Sequence, residues 1–444
     1  MTTPLKAARL AAGWSQPRLA HELRKLAQRK RIGVASASSL KTQISRWENG
    51  HVTPVFYQPL ICELFRSTPD ELGFTRQELP ADTARGNDTA ATLMNKQAWT
   101  RDDISSLSAS FDEAVSRSAL SDIELLAHEW LTADKPQLVE LSAGRHIGES
   151  LVTTIEHRII QLRRADDFIP GKASHALVYQ ELQATTNLLE TAALTDVQTR
   201  RLLTATGELA QLAAWVAADA GMYRDAAKYA ESGVVAAHAA NNAPLAANII
   251  STLSYQLANT GSPRQAAILA RTAYAGGRRD ATATTRALLL ERVAWADAKS
   301  GDLNSCERTL GLVEEDFSNS QPESDPDWVY WLNRDEIDVM AGRCYTELKN
   351  PVKAEPLLQN AISGYDNSHV RENALYLSWL AEDYLLLSEV DQSTELATQI
   401  LELRDRANSM RIDERLRHLS KLFRRYKDVQ GAAVFLDRYK GEKS

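Results

Sequence analysis

At 444 residues, with 44% hydrophobic and 25% charged side chains, the chain has the composition of an ordinary globular protein and room for more than one domain. The net charge of −7 is unevenly spread: residues 1–66 hold eleven Lys or Arg against three Glu, so a +8 head precedes a −15 body. These numbers exclude wholesale disorder, and no apolar run approaches bilayer-spanning length. With Met1-Thr2-Thr3-Pro4 leading into a helical pattern and no signal peptide, a cytoplasmic protein is expected.

The first elements lie in the basic head. In Gly13-Trp14-Ser15-Gln16-Pro17-Arg18-Leu19-Ala20, Ser15 is placed to cap a helix and Pro17 is tolerated in its first turn, where backbone N–H groups have no intrahelical partner. Downstream, Leu40, Ile44 and Trp47 recur at helical spacing as an apolar stripe, leaving Lys41, Thr42, Gln43, Ser45 and Arg46 on the other faces. Ser38 or Ser39 caps that helix, Asn49-Gly50 stops it, and Thr53-Pro54 begins the next element. Leu60, Leu64, Phe65 and Leu72-Gly73-Phe74 form a fourth helical pattern.

Ser15-Gln16-x-x-Leu19-Ala20 followed by Ile44-Ser45-x-Trp47-Glu48-x-Gly50 resembles the lambda-repressor-like, or XRE, helix-turn-helix family over about residues 4–74. The resemblance implies that Gln16 and Asn49 hold the DNA backbone, that Lys41, Thr42, Gln43 and Arg46 face base edges, and that Glu48 is structural. Arg18 and Ser39 complete the set expected at DNA. The chain departs from the family in the long segment Arg24–Ala37, whose Arg24, Lys25, Arg29, Lys30 and Arg31 are expected to track phosphate.

Residues 77–98, containing Leu79-Pro80-Ala81-Asp82 and Arg85-Gly86-Asn87-Asp88, are small, polar and without periodicity, as in a linker. From residue 99 the chain is alanine-rich and helical in pattern, with Leu151–Arg164 clearly amphipathic; residues 99–203 read as a helical lead-in. Residues 204–444 read as a repeat. Gly221, Gly261 and Gly301 sit 40 residues apart in similar turn contexts, followed in phase by Lys349-Asn350-Pro351, Ser388-Glu389-Val390 and Lys427-Asp428-Val429. Each unit is helix, turn, helix, and one unit cannot bury its own apolar face, so neighbours must stack. An acidic insertion, Glu314–Asp327, separates the third unit from the fourth, and the basic stretch Arg415–Lys443 is expected to cap the last unit or meet a partner subunit.

The predicted fold is therefore all-α: a lambda-repressor-like helix-turn-helix domain (1–76), then a tetratricopeptide-like solenoid. The layout, with Leu162–Phe168 and Glu208–Trp215, is similar to that of XRE-family regulators with C-terminal tetratricopeptide repeats, abundant in actinobacteria. That resemblance implies a transcription regulator, often of development or specialised metabolism, and two heads brought together by the repeats as a homodimer are expected. In peptide-sensing regulators of similar layout, including those of quorum sensing, the repeat groove holds a signalling peptide.

In such repeats the first helix of each unit lines the concave face. Positions 13, 10, 6 and 2 before each turn glycine give Glu208, Gln211, Trp215 and Asp219; Asn248, Ser251, Tyr255 and Asn259; and Leu288, Glu291, Trp295 and Lys299. Asparagine amides can pair with a peptide backbone, and the aromatic residues can hold apolar groups. Arg292 and Arg334 are added if the ligand is acidic. The alternatives are that these residues pack on one another, or that the repeats grip a partner protein as a DNA-localised scaffold. No G-x-S-x-G, H-E-x-x-H or P-loop occurs, the nine histidines are scattered, and Asp166-Asp167 reads as a solvated pair; no enzyme, cofactor or metal is expected. Cys62, Cys306 and Cys344 form no C-x-x-C pair and read as buried thiols.

Overall fold

Apolar stripes at helical spacing draw the chain into two units with separate cores, Met1–Ala84 and Arg85–Ser444. The computed structural model describes residues 3–29, 37–48, 57–68, 71–72, 90, 93–94, 96, 98–112, 126–131, 137–138, 145–166, 171–364, 369–407 and 409–441. The expected helix stop at Asn49-Gly50, Thr53-Pro54 and most of the expected linker lie outside these residues.

In the first unit, α1 (Pro4–Ala11), α2 (Gln16–Arg29), α3 (Ala37–Glu48) and α4 (Gln58–Phe65) enclose Leu5, Leu19, Leu23, Leu40, Ile44, Trp47, Leu60 and Ile61. Gly13, at φ +68°, makes the turn between α1 and α2, and the Ser15 hydroxyl accepts from the Arg18 N–H at 3.3 Å as the cap of α2. Burying each large apolar side chain contributes roughly 1.5–3 kcal/mol, so the Leu40/Ile44/Trp47 stripe determines which side of α3 turns inward. Ring contacts close the core: Trp47 with Tyr57 at 5.1 Å and Trp14 with Phe65 at 5.3 Å.

The second unit begins with α5 (Arg101–Asp112), α6 (Glu149–Ala165) and α7 (Gly171–Thr191). Six helix pairs follow: α8 (Asp196–Asp219) with α9 (Tyr223–Ala239), α10 (Ala243–Thr260) with α11 (Pro263–Gly277), α12 (Ala283–Lys299) with α13 (Leu303–Ser318), α14 (Arg334–Glu347) with α15 (Pro351–Gly364), α16 (Val370–Leu386) with α17 (Val390–Ala407), and α18 (Met410–Phe423) with α19 (Gln430–Gly441). Because α8 starts at Asp196, the first repeat helix begins inside the segment read as lead-in. Two-residue parallel bridges, Ala98–Trp99 with Gln137–Leu138 and Arg145–His146 with Ala192–Ala193, are the strands among the described residues, so the fold is an all-α helical repeat.

Local chemistry sets each pair. Thr195 and Gln198 form a reciprocal capping box at the start of α8, while Asn242, Thr282, Asp302 and Asn333 cap α10, α12, α13 and α14 through side-chain oxygens. The turns need a left-handed residue: Gly221, Gly261 and Gly301 supply it at φ +80°, +111° and +77°, and Lys349 and Ser388 occupy the same region at +58° and +66°. Small residues bring paired helices together; a Cβ on Gly342 of α14 would lie 2.8 Å from Leu358 Cγ of α15.

Two features depart from a simple row of pairs. The insertion continues α13 to Ser318 and then makes two 3₁₀ turns, Pro322–Ser324 and Asp327–Val329, burying Trp328 and Val329. The row also bends until its sixth pair meets its first. Asp219, at the end of α8, accepts from Ser409 Oγ at 3.1 Å and from Arg411 Nε at 2.6 Å, and Tyr223 donates to Glu414 at 3.1 Å. The basic C-terminal stretch thus packs on its own chain, with Phe423 against Phe435 at 4.8 Å inside the last pair. No described helix is long and apolar enough to cross a membrane.

Candidate functional site

The sequence-derived DNA set is only partly within view. Lys30, Arg31 and Asn49 lie outside the described residues, as do the side chains of Ser39, Thr42, Gln43 and Arg46. Lys41 and Arg29 are exposed, and exposed Arg18 lies 3.6 Å from Glu22 one turn on. Gln16, expected at a phosphate, instead donates from Nε2 to Glu48 at 2.8 Å. Glu48 is the centre of this unit: Arg9 donates to both its carboxylate oxygens, at 3.0 Å from Nη2 and more closely from Nε, and also to the Trp14 carbonyl at 2.5 Å. Buried Arg9 and Glu48 therefore tie the two halves of the sequence pattern together.

Closure of the helical row encloses a cavity of about 740 Å³ in the second unit. Its wall follows one stripe of each pair's first helix. Position 9 before the turn supplies Leu212, Thr252, Arg292, Met340 and Trp379; position 6 supplies Trp215, Tyr255 and Arg343; position 2 supplies Asp219, Asn259, Lys299 and Glu347. At about 100° per residue, positions 13, 9, 6 and 2 share one face, whereas position 10 is rotated by about 70° from it. That rotation corrects the expectation for Glu291 and Ser251, which are buried in helix packing and do not line the cavity. Asn248 and Asn259 do line it, and so does Gln211, although it stands at position 10 of the first pair.

Four further expectations are revised. Glu208 is held outside the wall by Arg163, whose Nη2 donates to it at 2.8 Å. Arg334 binds Glu314 and Asp338 at 2.7 Å each on the surface. Trp295 sits behind the wall, donating from Nε1 to Asn259 at 3.2 Å, which uses that amide oxygen internally. Asp166, read as solvated, is buried on the wall 3.6 Å from Arg371. Thus part of the expected ligand face packs on itself.

The aromatic residues Trp215, Tyr255 and Trp295, spaced 40 apart, form a ladder that Trp379 extends: Trp215 to Tyr255 at 6.1 Å, Tyr255 to Trp295 at 6.4 Å, and Trp295 to Trp379 edge-on at 5.5 Å. Guanidinium groups lie over its rings, Arg411 on Trp215 at 4.9 Å, Arg292 on Tyr255 at 4.8 Å, Arg343 on Trp295 at 4.7 Å, and Arg415 on Trp379 at 3.6 Å. The chain just after the insertion adds Trp328, Tyr330 and Trp331 to the wall, anchored where Asp327 accepts from Arg163 at 2.7 Å and Arg164 at 3.1 Å.

This crowding of cations displaces proton equilibria. Burial alone would raise the Tyr255 phenol, yet Arg343, Arg411 and Arg292 outweigh it and bring the phenol down to about 8. Burial would likewise raise Glu382, but Arg415 at 2.8 Å, His418 at 3.1 Å and Lys349 at 2.8 Å hold it below the usual carboxylate range. Its neighbour Asp383 accepts from the Thr346 hydroxyl at 3.0 Å and has no ion pair among the described residues, and burial pushes it up to about 8. Burial also pushes Glu291 well above the usual range, towards the neutral acid. Cys306 and Cys344 are buried; a hydrogen bond with Cys306 and then burial raise the Cys344 thiol. Cys62 is half-buried.

Sequence reading missed Arg343, Glu336 and Glu347, although counting 6, 13 and 2 residues back from Lys349 finds all three. Arg163, Arg371, Arg411 and Arg415 carried no such signal, because the bend of the row brings them in. No protein-family model matches the sequence, and no curated protein matches it.

Proposed function

We propose that the chain is a ligand-responsive DNA-binding transcription regulator, with the N-terminal unit on DNA and the repeat cavity as sensor. The observation that carries this reading is α3: its Leu40, Ile44 and Trp47 are buried in a core while Lys41 is exposed, in the segment that holds the +8 charge. A helix committed inward on one face and polar on the other, in a basic unit, is suited to a major groove. The XRE-like pattern supports the same assignment.

A cavity of about 740 Å³ lies in the size range of small-ligand pockets and supports a small-molecule sensor over a scaffold for a partner protein. Two copies would read half-sites about 34 Å apart or a multiple of it, and the ligand acts by binding one arrangement of the heads better than another. The test is binding of genomic fragments by the purified chain at two salt concentrations, with the retained DNA sequenced. An inverted repeat that survives the higher salt supports the reading; arbitrary fragments lost at higher salt reduce the head to phosphate attraction and overturn it.

A further inference from the structure

Six arginines line the cavity, and four of them have carboxylate partners: Arg163 with Glu208 and Asp327, Arg371 with Asp219 and Glu372, Arg411 with Asp219, and Arg415 with Glu382. The other two do not. Arg292, 6% exposed, makes no hydrogen bond or ion pair to a described residue; its guanidinium carbon lies 4.8 Å from the Tyr255 ring centre and 5.8 Å from that of Trp331. Arg343, 9% exposed, donates to the Tyr255 hydroxyl at 2.8 Å and the Met340 sulfur at 3.4 Å, and its Nε has no partner.

A buried cation without a counter-ion costs several kcal/mol, and ring faces recover only about 1–2 of it. The nearest carboxyl in sequence, Glu291, acts on Arg292 through space but has no hydrogen-bond partner among the described residues, and its burial favours the neutral acid. Glu336 accepts from the Tyr376 hydroxyl. Both guanidinium groups, neither with a carboxylate at ion-pair distance among the described residues, lie within 6 Å of the centre of the same Tyr255 ring and border a cavity with Trp331 on its wall.

Resting on the reading of this cavity as a ligand site, we propose that it takes a small organic anion: an oxyanion on a flat ring, the anion held by Arg292 and Arg343 and the ring against Tyr255 and Trp331. A guanidinium fork matches the two oxygens of a carboxylate or phosphate, and a stacked ring fills an aromatic wall without further polar partners.

The test uses the full chain without DNA, with three probes of one shape: naphthalene-2-carboxylate, 2-naphthyl phosphate and the neutral naphthalene-2-carboxamide. Tryptophan fluorescence reads binding, and ultraviolet titration follows the Tyr255 phenol, identified as the signal absent from Tyr255→Phe. The expected result is that one or both anions bind at least about tenfold more tightly than the carboxamide and move the phenol's ionisation to higher pH. The stronger of the two distinguishes a carboxylate from a phosphate ligand. Arg292→Met and Arg343→Met should each lose about tenfold in anion affinity without changing carboxamide binding, and Arg292→Lys, which keeps the charge but not the fork, should fall between. Equal binding of the carboxamide, no binding of either anion at millimolar concentration, or full anion binding by folded Arg292→Met would overturn the proposal. Those outcomes leave the genomic-fragment result untouched, just as failure to select DNA leaves probe binding standing.

Discussion

Arg9 in the N-terminal unit and Arg292 in the repeat unit are equally buried, each 6% exposed, yet they are satisfied in opposite ways. Arg9 meets both oxygens of Glu48 and spans the interval between α1 and the end of α3, so its charge is spent inside the fold. Arg292 faces two aromatic rings and a cavity with no carboxylate bound to it. The difference separates a charge that holds an architecture from a charge left available to something else. Burial alone does not distinguish them; the partner does.

The sharpest way to break that comparison is to remove the partner of the satisfied arginine. Glu48→Ala leaves Arg9 buried and unpaired, and should destabilise the N-terminal unit by about 3–5 kcal/mol. Thermal unfolding followed by circular dichroism should show an early transition for this unit while the repeat transition keeps its midpoint. An unchanged N-terminal transition would mean that Arg9 swings to solvent at little cost.

The same contrast recurs in adjacent residues of α16, where Glu382 has three cationic partners within 3.1 Å and Asp383 has no ion pair among the described residues. Asp383 holds its proton to about 8 in the folded chain, against 3.8 ordinarily. Between those values the folded state binds more protons than the unfolded state, so stability is full below about pH 4 and declines as pH rises to about 8, by at most about 1.4 kcal/mol for each pH unit. Asp383→Asn should flatten that decline, raising the melting temperature more at pH 8 than at pH 5. Equal gains at both values would show that Asp383 titrates normally.

On the DNA side, Arg46→Ala should weaken specific binding by roughly 1–3 kcal/mol if Arg46 reads a base through two hydrogen bonds. Quantitative binding to selected and unrelated sequences tests this, since equal loss on both makes Arg46 a phosphate contact. An effect of opposite sign completes the comparison: Arg292→Met removes a buried cation without orphaning a carboxylate and should stabilise the repeat unit by about 1–2 kcal/mol. A loss as large as that of Glu48→Ala would place Arg292 among the structural arginines.

Much of the fold was legible because its causes are local. The turn residues Gly221, Gly261 and Gly301 mark the first three pairs, and Lys349 and Ser388 keep the phase without glycine. The candidate site was legible only in part. Gln211, Trp215, Asn248, Tyr255, Asn259 and Arg292 do line the cavity, but Glu291, at the position that puts Gln211 on the wall of the first pair, is buried in helix packing. The acidic composition of Glu314–Asp327 marked an insertion without indicating that the chain just after it, Trp328 to Trp331, would wall the cavity.

By itself the sequence determined the helices, their caps and the 40-residue rhythm of the first units, because each depends on residues within a turn or two of one another. Tertiary structure alone decided which charges are paired. Asp219 and Arg411 stand 192 positions apart, and whether they meet depends on the bend accumulated over all the intervening helix pairs. The sixth pair meets the first around the cavity, and the packing there leaves Arg292 and Arg343 against rings in place of counter-ions.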